Sequence, residues 1–116
     1  MIIRVTHGRV VPNGEASAFE ILRKATADAP RPDGLEAFMI GRRQGATAGV
    51  ELIAITAWRD MDALVRVMGP TWQVPTWLPG LDKYVVAGTL EHYETVAEDF
   101  EGIRTIGLDL SDLEAS

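Results

Sequence analysis

The sequence predicts an α+β domain of the ferredoxin-like, split-βαβ kind, on three observations. Apolar periodicity switches between two and 3.6 in the order strand, helix, strand, strand, helix, strand. Turn and breaker residues separate these segments at short intervals. The segment 50–58, VELIAITAW, is apolar on both faces, so it belongs in the middle of an antiparallel four-stranded sheet. The chain has 116 residues, of which 1–96 are expected to form this domain and 97–116 an acidic extension. That length buries an ordinary core without crosslinks.

Taken in order, residues 2–11 alternate. Ile3, Val5, His7, Arg9 and Val11 share one face; Ile2, Arg4, Thr6, Gly8 and Val10 share the other. Pro12-Asn13-Gly14 ends the strand, and Asn13 is placed to cap a helix that carries Glu15 in its first turn. Ala18, Ile21, Leu22 and Ala25 form that helix's apolar stripe, up to about residue 29. PRPDG over 30–34 is a loop. Residues 35–43 form a second strand, and the Gly- and Ala-rich turn 44–49 returns the chain into 50–58 as a hairpin. Asp60 then caps a helix with Met61, Leu64, Val65 and Met68 at i, i+3, i+4 and i+7, and Gly69-Pro70 stops it. Residues 69–80, GPTWQVPTWLPG, hold three prolines and two tryptophans and read as a loop with at most a short helical turn. Residues 83–96 form the last strand.

Both helices of this arrangement lie on one side of the sheet. The other side would expose an apolar face, and a second copy packed sheet to sheet would cover it. A homodimer is therefore expected. Composition narrows the remaining classes. The absence of cysteine excludes disulfides, thiolate nucleophiles and zinc–sulfur sites. No basic stripe is present, so no nucleic-acid partner is expected. No apolar run reaches spanning length and MIIRVTHGRV is too short and alternating for a signal peptide, so no membrane partner is expected and a cytoplasmic location is. Six acids and one base in 97–116 account for −5 of the net −6. Phe100, Ile103, Ile106, Leu108 and Leu110 in that segment predict that 100–110 pack along a sheet edge or a partner subunit, while 111–116 fray.

Three stretches carry a family resemblance: PNGEASAFEILRKA after the first strand, ITAWRDMDAL, and LEHYETVAE. Together they resemble the antibiotic biosynthesis monooxygenase family of the dimeric α/β-barrel superfamily, over most of residues 1–96. The resemblance implies a ferredoxin-like homodimer and, as the leading activity, cofactor-independent oxygenation of a small phenol- or quinol-like aromatic in a pocket between sheet and helices. A non-catalytic module holding a small apolar or aromatic ligand is the alternative. The family also has a heme-degrading branch, which holds iron through a histidine on the second helix. DMDALVRVMG has none, so heme is disfavoured and no cofactor is expected.

The candidate site residues follow. Trp58 matches the family tryptophan at the end of the third strand and would be a pocket wall, or else a core aromatic closing the helix–sheet gap. His7, near where the heme-degrading branch carries an asparagine, would be the catalytic base. Trp72 and Trp77 would form an aromatic lid over a flat ligand, or plug one end of the barrel. His92 shares a face with Glu94, whose carboxylate would raise the imidazole pKa and orient it. A two-histidine, one-carboxylate metal site would need His7 and His92 to meet, so no metal is expected. Arg42-Arg43 reads as a solvated hairpin tip. No Ser-His-Asp order, P-loop, dinucleotide glycine fingerprint or HExxH is present.

Overall fold

A computed structural model describes residues 1–28, 30–45 and 49–97. The packing expected of 100–110 therefore lies outside the described residues. Six principal elements follow in the expected order: β1 (Ile2–Val10), α1 (Glu15–Asp28), β2 (Leu35–Gln44), β3 (Val50–Trp58), α2 (Met61–Met68) and β4 (Val85–Glu94). Among the described residues the strands form one antiparallel sheet in the order β2-β3-β1-β4, with β2 and β4 at its edges. Each helical crossover skips one strand, which is the ferredoxin-like arrangement.

Local chemistry sets most boundaries. Asp60 has extended backbone and its carboxylate accepts the Ala63 N–H at 2.8 Å, so it caps α2 as its position implies. Gly69 ends α2 with φ 76°, and its N–H bonds the Val65 carbonyl. The chain then turns through a short 3₁₀ segment, Gly69–Thr71, and a second one, Leu81–Lys83, precedes β4. Asn13 is not the cap of α1. It sits at φ 63°, and the Gly14 N–H bonds the Val11 carbonyl at 2.9 Å, so Val11–Gly14 is a tight turn. Proline followed by a residue of positive φ is the signature of a type II turn, and it delays the helix to Glu15.

Strand register sorts the side chains onto two faces. On the helix face, Ile2 pairs with Trp58, Arg4 with Thr56, Thr6 with Ala54 and Gly8 with Leu52. Two apolar clusters cover this face. Val10, Ala18, Leu22, Val50, Leu52, Leu81 and Val85 form one under α1, and Trp58, Ala63 and Leu64 form the other under α2. Among the described residues no element lies on the opposite face, which reads in four rows across the strands: Ala37–Ala57–Ile3–Tyr93, Met39–Ile55–Val5–Glu91, Gly41–Ile53–His7, and Arg43–Glu51–Arg9–Val86. Met39 is 58% exposed and Tyr93 51%. Between the pairs Thr6–Leu90 and Gly8–Ala87, β4 carries one residue more than β1, a β-bulge at Gly88-Thr89. A Cβ on Gly88 would stand 3.0 Å from the His7 carbonyl oxygen, so a larger residue there would have to push the β1 backbone back by a few tenths of an ångström.

Candidate functional site

The helix face carries one polar row across all four strands: Phe38, Thr56, Arg4 and His92. Arg4 is its centre and is 3% exposed. Its alternation with Ile2 and Thr6 turns it inward, and the 72–76 loop then closes over it. One guanidinium nitrogen donates to the Trp72 carbonyl and to His92 Nε2, the latter at 2.9 Å. The other donates to the Val74 carbonyl at 3.2 Å and to Thr76 Oγ1 at 3.5 Å. Among the described residues no carboxylate lies within ion-pair distance of it. The cation is met by neutral acceptors alone, and burial lowers the Arg4 pKa from its ordinary value.

An arginine can only donate, so Nε2 of His92 carries a lone pair and the ring proton sits on Nδ1. Burial, and secondarily the Arg4 charge, lower the His92 pKa. This reverses the expectation drawn from Glu94. Glu94 does share the strand face, but it pairs with Ile2, while the imidazole's neighbour is a cation. The Trp72 ring stands edge-on to His92, with centroids 5.2 Å apart. The arrangement suits anion stabilisation: a buried positive charge, an N–H donor on Nδ1, and aromatic walls.

Trp58 is 3% exposed, packs on Ala63 and Leu64, and donates its indole N–H to Thr56 Oγ1 at 2.9 Å. Trp72 packs against the same cluster. Trp77 belongs to the α1 cluster instead, where it lies over Gly8; a Cβ there would come within 2.7 Å of its ring. The two tryptophans thus fill separate parts of the helix face. Beside the polar row, between α1 and β2, a cleft of about 580 Å³ is lined by Phe19, Leu22, Thr26, Phe38, Ile40 and Arg42. Arg42 stacks over Phe19 at 5.0 Å, whereas Arg43 pairs with Glu51 on the opposite face, so the hairpin-tip pair is divided by the sheet.

His7 lies apart. It pairs with Ile53 in the row facing away from the helices, with Nε2 3.7 Å from Glu91 Oε1, and it lines a separate depression. His7 and Trp58 therefore do not share the one cavity expected for a base and its pocket wall. The helix face instead gathers Trp58, Trp72, Trp77 and His92. Arg4 and Thr56 complete it without having been singled out in the sequence. The available signal was a charged residue alternating in phase with Ile2, Thr6 and Val10, on the side that must be covered. Among the described residues no cluster of histidine and carboxylate groups is placed to hold a metal ion, and no helix is long and apolar enough to cross a membrane.

No protein-family model matches the sequence, and no curated protein matches it. Solved structures do match in shape. A mutant of SnoaB, a cofactor-independent oxygenase from Streptomyces nogalater, superposes with TM-score 0.55 at 16% identity, covering 86% of this chain and 98% of that one. A mutant of MhuD, from Mycobacterium tuberculosis, with two manganese protoporphyrin IX bound per active site gives 0.59 at 13% identity, with coverages of 85% and 98%. A Deinococcus radiodurans protein described as a candidate antibiotic biosynthesis monooxygenase gives 0.53 at 15%, with coverages of 88% and 100%. In fold, this chain is similar to the antibiotic biosynthesis monooxygenase type.

Proposed function

We propose that the chain oxygenates a small phenol- or quinol-like aromatic on the helix face of its sheet, without a resident cofactor, as a subunit of a homodimer. The observation that carries this reading is the Arg4–His92 pair, a buried guanidinium with no acid within ion-pair distance among the described residues, and an imidazole that accepts through Nε2 and so keeps an N–H on Nδ1. The aromatic body lies in the cleft against Phe19 and Phe38, and its oxygen points along the row toward Thr56 and Arg4. Phe38 and Arg4 are two strands apart, about 10 Å between Cα atoms, which two or three fused rings can span. The positive field of Arg4 lowers the substrate's phenolic pKa, and the proton leaves to water. The electron-rich anion then reduces dioxygen. Superoxide and the substrate radical recombine at a ring CH carbon, the peroxide takes a proton from water, and the resulting hydroperoxide loses water to leave a ketone.

Likeness in fold to a cofactor-independent oxygenase supports the reaction type. Oxygen uptake with a panel of quinols and anthrone-like substrates tests it. Turnover should fall at least about tenfold, roughly 1.4 kcal/mol, in Arg4→Met and in His92→Ala, and survive in His7→Ala. Turnover lost in His7→Ala and kept in the other two overturns this placement of the site. The alternative, a non-catalytic holding module, draws on the engagement of Arg4 by the loop carbonyls of Trp72 and Val74. It would give tryptophan quenching by the same compounds with no oxygen uptake.

The dimer reading rests on the uncovered face. Ile3, Val5, Ile53, Ile55 and Met39 make it apolar along its centre, and a second copy packed twofold on this surface covers it. Light scattering should give twice the 12.7 kDa chain mass.

A further inference from the structure

The face opposite the helices holds a depression of about 500 Å³ in the strand row Gly41–Ile53–His7 and the charged row beside it. Two glycines shape it. Gly41 leaves Ile53 uncovered, and Gly88 in the β4 bulge leaves the β1 backbone at His7 uncovered. The charges along its rim do not balance. Glu51 stands between Arg43 on β2 and Arg9 on β1 in register. Its carboxylate is bonded by Arg43. Among the described residues Arg9 has no acid within ion-pair distance, so this row keeps one uncompensated positive charge. Glu91, held by the Tyr93 hydroxyl, lies 3.7 Å from His7 on the β4 side. Ile53 and Val86, the latter 49% exposed, supply apolar walls.

We propose that this depression binds a small monocarboxylate with a compact apolar body, its carboxylate on Arg9 and its body against Ile53 and Val86. A guanidinium recognises a carboxylate through paired N–H donors. Arg42 also borders the depression but carries its guanidinium over the Phe19 ring, so Arg9 is the unpaired cation that faces it and matches one negative charge, while Glu51 and Glu91 at the flanks oppose a phosphate dianion. The site lies within one chain and is separate from the helix-face row, so it does not depend on the oxygenase reading. A second copy seated on this face would roof the depression and bury the Arg9 charge; a bound anion offsets that cost.

The test follows backbone amide shifts of the labelled protein by NMR during titration with benzoate, its neutral isostere benzamide, and inorganic phosphate. Saturable benzoate shifts at Gly8, Gly41 and Thr89 are expected, with benzamide at least about tenfold weaker, since a charge-assisted bond is worth roughly 1.5–3 kcal/mol. Arg9→Gln should weaken benzoate by a similar factor, and Lys24→Gln, which removes an exposed cation elsewhere, should change it less than about twofold. Shifts confined to Phe19 and Phe38 amides, equal binding of benzamide, phosphate binding tighter than benzoate, or full benzoate affinity in Arg9→Gln would each overturn the proposal. The mass of each variant, read by light scattering, separates ligand loss from dimer loss. Weakened binding at unchanged mass supports the site; weakening that appears only in a variant that has become monomeric overturns it.

Discussion

Arg4 and His92 stand 88 positions apart in sequence and 2.9 Å apart in space, guanidinium to imidazole. A buried arginine ordinarily faces an acid, because burying an uncompensated charge is expensive. Here the acceptors are two carbonyls, a hydroxyl and a ring nitrogen. The protein has bound its loop to its sheet through a cation and left the charge itself for something else to meet.

The pair makes stability depend on pH with a definite sign. The folded His92 pKa lies below the ordinary value of 6.5 because burial, then Arg4, disfavours the imidazolium. Between the two values the unfolded chain binds more protons than the folded one. The stabilisation is therefore present above about pH 6.5 and is lost as pH falls through that value toward the lowered one. Thermal melts from about pH 7 to pH 5 should fall more steeply for wild type than for His92→Gln, whose amide oxygen still accepts from Arg4. Parallel curves would remove His92 from this account.

Arg4→Met keeps much of the side-chain volume and removes every donor. The Trp72 and Val74 carbonyls then lose their partner, a cost of about 1–3 kcal/mol for each group that stays buried. Relief of the buried charge offsets part of it. A net loss of about 2 kcal/mol is expected, a melting-temperature drop of roughly 8 °C for a chain of this size. Calorimetry checks it, and an unchanged melting temperature would mean that the loop is held by Trp72 and Trp77 packing alone.

Gly8 and Trp77 form a second coupled pair. A methyl on Gly8 would come within 2.7 Å of both the Trp77 ring and Val85, so Gly8→Ala should destabilise by about 1–3 kcal/mol. The Trp77 indole nitrogen is buried without a partner among the described residues. Trp77→Phe removes that orphan donor and should change stability by less than about 1 kcal/mol. Because the smaller ring clears the new methyl, Gly8→Ala should cost less in the Trp77→Phe background. A denaturant-based double-mutant cycle measures the coupling.

Met39, on an edge strand and largely exposed, reports on the uncovered face. Met39→Glu places a charge there without disturbing the monomer's core. Light scattering should show the mass halve while the melting transition stays cooperative. A dimer unchanged by this substitution would have to form through another surface.

The fold was legible because its signals are local. Asp60 announced α2, and the alternation of Ile2–Val10 and Val50–Trp58 assigned each strand's two faces correctly. Relations between strands were not legible in the same way. Whether His7 shares a face with Trp58 depends on the parity of the β1–β3 register, and Ile2 opposite Trp58 places His7 on the far side. Arg4 was visible as an inward-phased charge, but its partners come from residues 72–76 and 92, and no single stretch of chain contains that meeting. Asn13 failed as a cap because proline before it favours a tight turn, a contest between two local preferences that one rule alone does not decide.

The extra residue in β4 fixes which chemistry Arg4 meets. With Ala87 opposite Gly8 and no bulge between them, uniform pairing would place Thr89 opposite Thr6 and Glu91 opposite Arg4. The cation would then face a carboxylate, an ordinary internal salt bridge with nothing left over, and His92 would turn to the outer face opposite Ile3. Relative to uniform pairing of the same residues, the bulge at Gly88-Thr89 moves every later side chain of the strand to the other face, exchanging an acid for an imidazole at the centre of the molecule. Loss of the bulge with every residue of the strand retained would convert an open electrostatic site into a self-neutralised one without altering any of the residues that compose it, whereas deleting Gly88 or Thr89 would keep His92 opposite Arg4.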